Sequence, residues 1–194
     1  MQEEKKRLRL AMRKKKGSLS ESERSACAKQ LFARIEDSPF FQKAHYIACY
    51  FALSDEVPTV DFMNKWKDKK VFLLPIVEGE EMRFVYYKGE EALKKGAFGI
   101  LEPWNEAEER TQETMDLILV PGVAFDLKGN RMGRGKGFYD RFLCQKEIYK
   151  VGVCFDFQLL ECIPSEETDV MMDEIVTESR HLQAPLLGQK RLGL

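Results

Sequence analysis

"DLILVPGVAFDLKGNRMGRGKGFYDRFL", residues 116–143, strings together an apolar run, a glycine-rich cationic loop and a helix-like run. The opening "DLILVP" (116–121) is apolar throughout after its first residue, the pattern of a strand buried on both faces. "GFYDRFLCQ" (137–145) reads as a helix. Similar apolar runs stand on either side: "HYIACYF" (45–51), "KVFLLPIV" (70–77), "YKVGVCF" (149–155) and "EIVTES" (174–179), with "MRFVYY" (82–87) alternating as a strand. Helical spacing separates them. Residues 4–16 form a basic helix with Leu8, Ala11 and Met12 as its apolar stripe and Gly17 as its stop. Ser20 and Glu23 make a capping box for a second helix with Ala28, Leu31, Phe32 and Ile35 on its inner face. After Pro39 the period changes, and "TVDFMNKWKDK" (59–69) reads as a helix capped by Thr59. "NEAEERTQET" (105–114) reads as an exposed acidic connector.

Continuously apolar strands alternating with helices predict a three-layer α/β fold, a mostly parallel sheet with helices on both faces. No internal repeat or linker composition divides the chain, so residues 1–194 are expected to form one domain.

Composition narrows the function. Thirty-one basic and 32 acidic residues leave a net charge of −1, far from the strongly basic balance of a nucleic-acid coat. Neither a long apolar span nor the apolar core of a secretory signal is present. A cytoplasmic protein, monomeric and acting on small molecules rather than on nucleic acid or membrane, is expected. Cys27, Cys49, Cys144, Cys154 and Cys162 show no CxxC spacing, and are expected as reduced, small buried hydrophobes. His45 and His181 have no ligand spacing to them.

In an open α/β sheet, ligands bind beyond the carboxyl ends of the strands. That rule points to the loop 130–137. Its glycines recur as Gly133, Gly135 and Gly137, matching neither GxxxxGK[ST] nor GxGxxG. A flexible turn is one reading. A phosphate nest is the other, with inward N–H groups, a following helix and the charges of Arg131, Arg134 and Lys136. Asp140 is either a dipole-compensating acid or a Mg²⁺ ligand. Asp173 is a second such carboxylate or a solvated strand entry. Glu56 follows a strand and reads as a site carboxylate or as capping chemistry. The basic N-terminal helix is a solubilising face, a nucleic-acid contact or a lid over a nucleotide.

The stretches "KKRLR" (5–9), "YFALSDEVPT" (50–59), "FGILEP" (98–103), 116–143 and "DEIVTE" (173–178) together resemble the 5-formyltetrahydrofolate cyclo-ligase family, in the family's order and over nearly the whole chain. The resemblance implies a fold related to the sugar-phosphate isomerase and CoA-transferase group. It also implies an ATP- and Mg²⁺-dependent conversion of 5-formyltetrahydrofolate to 5,10-methenyltetrahydrofolate. Matched by position, Lys5, Lys6 and Arg9 would contact ATP, with Arg131, Met132, Gly133, Arg134, Gly135, Lys136, Gly137, Phe138 and Tyr139 wrapping the phosphates. Lys136, Arg134 and Tyr139 would serve the reaction itself. Phe51, Glu56, Arg9 and Trp104 would meet the folate, and Asp140 and Asp173 would hold Mg²⁺. "MRKKKG" (12–17) lies outside the motif and reads as surface charge.

Overall fold

The apolar run at 117–121 becomes the middle strand of a seven-stranded sheet. The computed structural model describes residues 1–95, 101–103, 115–144 and 146–183. Along the chain these form α1 (Gln2–Gly17), α2 (Glu21–Asp37), α3 (Pro39–Lys43), β1 (Tyr46–Ala48), α4 (Val60–Trp66), β2 (Val71–Glu78), β3 (Glu81–Tyr86), β4 (Leu93–Lys95), β5 (Leu101–Pro103) and β6 (Leu117–Pro121). There follow β7 (Ala124–Asp126), β8 (Arg131–Met132), α5 (Phe138–Leu143), β9 (Tyr149–Val153), β10 (Leu159–Leu160), β11 (Glu174–Val176) and β12 (His181–Gln183).

The sheet order is β12-β11-β9-β6-β1-β2-β3. Neighbours from β11 to β2 run parallel, while β3 and β12 close the edges antiparallel. The period of two explains the layers. Leu117 and Leu119 pack with Leu31 and Ile35 of α2, Phe41 of α3 and Phe62 of α4. Ile118 and Val120 face the opposite way, against Phe125 of β7 and Phe142 and Leu143 of α5. Helices therefore cover both faces. Leu31 has no exposed surface, and truncating such a residue to Ala costs about 2–5 kcal/mol. A small sheet, β10-β7-β8, flanks the second face, and Met12 of α1 packs with Val123, Ala124 and Met132 beside it.

Several local expectations are corrected. Helical structure continues past Pro39, because proline at the first helical position loses no bond there; the change of period comes after α3. The strand expected over 45–51 is ordered in the sheet only at 46–48. Thr59 stands at the N-cap of α4 as expected, but its side chain makes no capping bond: the hydroxyl donates to the Tyr50 carbonyl at 2.7 Å, while the Tyr50 hydroxyl donates to Val57 O at 3.0 Å. These bonds tie the segment after β1 into a folded loop. The chain also turns after Val176, where Arg180 N donates to the Thr177 hydroxyl at 2.8 Å, and returns as β12.

On α1, Ala11 is exposed whereas Lys5 and Lys16 are 6% and 2% exposed. Opposite charges across the interface, invisible in a helical-wheel reading, account for the inversion. Cys49 and Cys154 are buried as expected, and burial pushes the Cys49 thiol up to about 12, but Cys144 and Cys162 are exposed. The connector 105–114 lies outside the described residues.

Candidate active site

Strand order reverses between β1 and β6, since the chain leaves β1 toward β2 and resumes on its other side at β6. A crevice is expected beyond the carboxyl ends at such a switch point. A cavity of about 1000 Å³ lies there. Its walls include Tyr50, Phe51 and Glu56 from the loop after β1, Pro75 and Val77 of β2, Pro121 and Gly122 at the end of β6, and 131–141.

The glycine loop reaches the cavity through backbone that other residues adopt poorly. Gly135 and Gly137 have φ of +91° and +69°, in the region where a Cβ is strained. Gly137 lies immediately before α5, so the left-handed residue turns the loop into the helix. Arg9 of α1 holds the loop from the other side: its Nε donates to Gly133 O at 3.0 Å.

Each of three cations is met by carboxylate. Arg131 Nη2 donates to both oxygens of Asp140 at 3.0 Å, its side chain 3% exposed and its guanidinium 5.3 Å from the centre of the Tyr139 ring. Lys5 Nζ pairs with Asp169 at 2.9 Å and Glu166 at 3.4 Å. Arg134 donates from Nε and Nη2 to Glu56 at 3.3 and 3.0 Å, and from Nη2 to Asp55 at 2.5 Å. The buried Arg131 Nε finds no acceptor among the described residues, which leaves a donor for an anionic ligand. Burial, followed by the charge of Glu56, pushes the Tyr139 hydroxyl well above its ordinary range, so it stays a neutral donor. Glu56 also accepts from Leu53 N at 3.1 Å, a bond within its own loop and not a cap of α4.

The structure thus gathers Lys5, Arg9, Phe51, Glu56, 131–139 and Asp140 around one cavity. Lys6 is exposed and does not line it. Asp173 is not brought there either. It precedes β11 at the amino end of the parallel strands, is 2% exposed, accepts from Lys150 N at 2.8 Å and pairs with Lys150 Nζ at 3.0 Å. Trp104 lies outside the described residues.

The model of the 5-formyltetrahydrofolate cyclo-ligase family matches residues 1–178. The chain belongs to this family. Its activity is that of a 5-formyltetrahydrofolate cyclo-ligase, or methenyltetrahydrofolate synthetase. Among cyclo-ligase relatives, a probable 5-formyltetrahydrofolate cyclo-ligase of Caenorhabditis elegans is 31% identical, covering 92% of this chain and 94% of its own. The solved structure of the Aquifex aeolicus 5,10-methenyltetrahydrofolate synthetase superposes with a TM-score of 0.84 at 37% identity, covering 93% of each chain. That of the Mycoplasma pneumoniae synthetase gives 0.73 at 25% identity, over 90% of this chain and 98% of the other. No described helix is long and apolar enough to cross a membrane.

Sequence reasoning missed several residues that line this cavity of the cyclo-ligase. Glu166, Glu167 and Asp169 line the cavity, and Val170 N donates to Asp140 at 3.3 Å, bringing this acidic segment beside the glycine loop. Arg141 donates to Glu80 O at 2.8 Å and to Lys136 O at 2.9 Å, joining the β2–β3 turn to the loop. An acidic surface run carries no signal of its own; only the proximity of Asp173 in "EETDVMMDE" (166–174) pointed to this part of the chain.

Proposed function

We propose that the chain closes 5-formyltetrahydrofolate to 5,10-methenyltetrahydrofolate in a reaction that consumes ATP, depends on Mg²⁺, and releases ADP and phosphate. A formamide oxygen is a poor leaving group. Transfer of the γ-phosphoryl group to that oxygen lets it depart as phosphate when N10 of the same folate attacks the formyl carbon and gives up its proton. No covalent nucleophile is required of the protein. It aligns two substrates and balances charge on the transferring group.

The observation that carries this reading is the meeting, in one cavity, of the cationic glycine loop with Phe51 and Glu56. The loop N–H groups with Lys5, Arg9 and Arg131 hold the triphosphate, and Arg134 and Lys136 act on the transferring group. Phe51 packs the pterin while Glu56 accepts from its N–H groups. Tyr139, kept neutral, donates toward the formyl oxygen.

Mg²⁺ takes hard oxygen ligands, typically one or two carboxylates with substrate phosphates. Asp140 and Asp169 fit that donor set, because each is already paired with a cation that an entering phosphate would engage. The ion would neutralise phosphate charge there. This reading replaces Asp173 by Asp169, since Asp173 is enclosed with Lys150 away from the cavity.

Purified chain mixed with ATP, Mg²⁺ and 5-formyltetrahydrofolate should develop the absorbance of methenyl-folate, and omission of ATP or chelation of Mg²⁺ should abolish it. Full turnover without nucleotide would overturn the reading.

A further inference from the structure

Neither Asp55 nor Lys16 lines the cavity. Both nonetheless act on a residue that does. Arg134 stands between two glycines, so its own backbone restrains it little. Its guanidinium is fixed from outside the loop: Glu56 takes Nε and Nη2, and Asp55 Oδ1 takes Nη2 at 2.5 Å. The second oxygen of Asp55 is held in turn. Lys16 Nζ lies 3.0 Å from Asp55 Oδ2, on a lysine side chain only 2% exposed. Although burial opposes it, the charges of Lys16 and Arg134 hold the Asp55 carboxyl below its ordinary range, keeping it an acceptor for both. The Arg134 Nη1 donors have no acceptor among the described residues, and the side chain lines the cavity half-exposed.

We infer that Asp55, anchored by Lys16 at the end of α1, is a positioning residue that fixes Arg134 for the phosphoryl group. A guanidinium gripped on one edge by two adjacent carboxylates presents its other edge in a defined direction. That orientation is what phosphoryl transfer needs, because catalysis there consists of positioning and charge balance. The device also joins three separate segments: the end of α1, the loop after β1 and the glycine loop. The inference rests on the proposed role of the glycine loop in holding phosphate.

The test compares wild type with Asp55→Asn and with the double variant Lys16→Met/Asp55→Asn, normalised to folded protein well below the melting temperature of each. Asp55→Asn should lower kcat/KM for ATP by about tenfold or more, given how steeply rates fall with misplacement, and leave the KM for folate within about threefold. Tripolyphosphate binding, followed by its effect on melting temperature, should weaken by at least about fivefold for the same loss of alignment. The double variant removes the buried unpaired ammonium, so it regains thermal stability over Asp55→Asn but not turnover. Recovery of both, or unchanged tripolyphosphate binding in Asp55→Asn, would reduce the pair to a structural clamp and overturn the inference. Absence of ATP-dependent turnover in the wild type would instead count against the functional reading, while the tripolyphosphate titration still decides the role of Asp55.

Discussion

Asp140→Asn tests the electrostatic design of the cavity at the pair that holds its most buried cation, Arg131. Asparagine keeps the shape and one acceptor but removes the charge opposite Arg131. Breaking a fully buried ion pair costs about 3–5 kcal/mol. Two features reduce that figure here. Asp140 is 22% exposed, and a single nitrogen, Nη2, serves both its oxygens, so the contact is one shared bond rather than a two-pronged fork. Arg131 also keeps its bond to Pro121 O at 3.3 Å and the face of Tyr139. The expected loss is therefore about 2 kcal/mol, the lower part of the range for a charge-assisted bond. For a chain of this length that corresponds to a fall of about 4–8 °C in melting temperature. Thermal unfolding followed by circular dichroism reads it directly. A melting temperature within about 1 °C of wild type would place the pair with exposed ion pairs, which contribute little, and refute the argument from burial. In the same variant, turnover should stay low at every Mg²⁺ concentration, and an unchanged Mg²⁺ dependence would remove Asp140 from the metal site.

Three further outcomes are expected. Glu56→Gln should raise the KM for 5-formyltetrahydrofolate by about ten- to a hundredfold, the loss of one charge-assisted bond, and, because Glu56 also holds Arg134, should lower kcat/KM for ATP as well; an unchanged KM for folate would take Glu56 out of the pterin site. Gly137→Ala places a Cβ 2.7 Å from Arg141 Nη1 at φ +69° and should destabilise by about 1–2 kcal/mol, whereas Gly17→Ala, with open space around it, should be neutral or mildly stabilising. His181 hydrogen-bonds to the buried Glu174, which also accepts from the Tyr149 hydroxyl at 2.9 Å. The bond to Glu174 raises the pKa of His181, against burial and the nearby Arg34. A raised folded pKa means that this stability is complete below the unfolded value near about 6.5 and fades as pH climbs through the folded one. The melting-temperature gap between wild type and His181→Gln should thus be widest near about pH 6 and narrow by about pH 9; a gap that widens with pH would reverse the sign.

What the chain's own order of residues determined is the sheet and the residues that meet around the cavity. Apolar runs such as 117–121 must be buried on both faces because they offer no polar side to water. Alternation at Leu117, Ile118, Leu119 and Val120 then assigns each residue to one of two cores. The glycine loop was equally legible, since Gly135 and Gly137 occupy backbone that little else tolerates. Its cations, with Asp140 and Glu56, do converge on one cavity.

Pairing of charges was decided only in three dimensions. Lys5 and Lys16 look like any solvated lysines on a basic helix, yet both are buried by carboxylates distant in the chain, Asp169 and Asp55. Asp169 and Asp173 stand four residues apart, but the turn of the chain into β11 sends one to the cavity and the other to Lys150. The physical reason is one of range. Hydrophobic periodicity and backbone strain are local and leave a trace in neighbouring residues. A buried ion pair is a contact between distant segments, stable only once both have been taken out of water together, and a lone charge in the sequence does not name its partner.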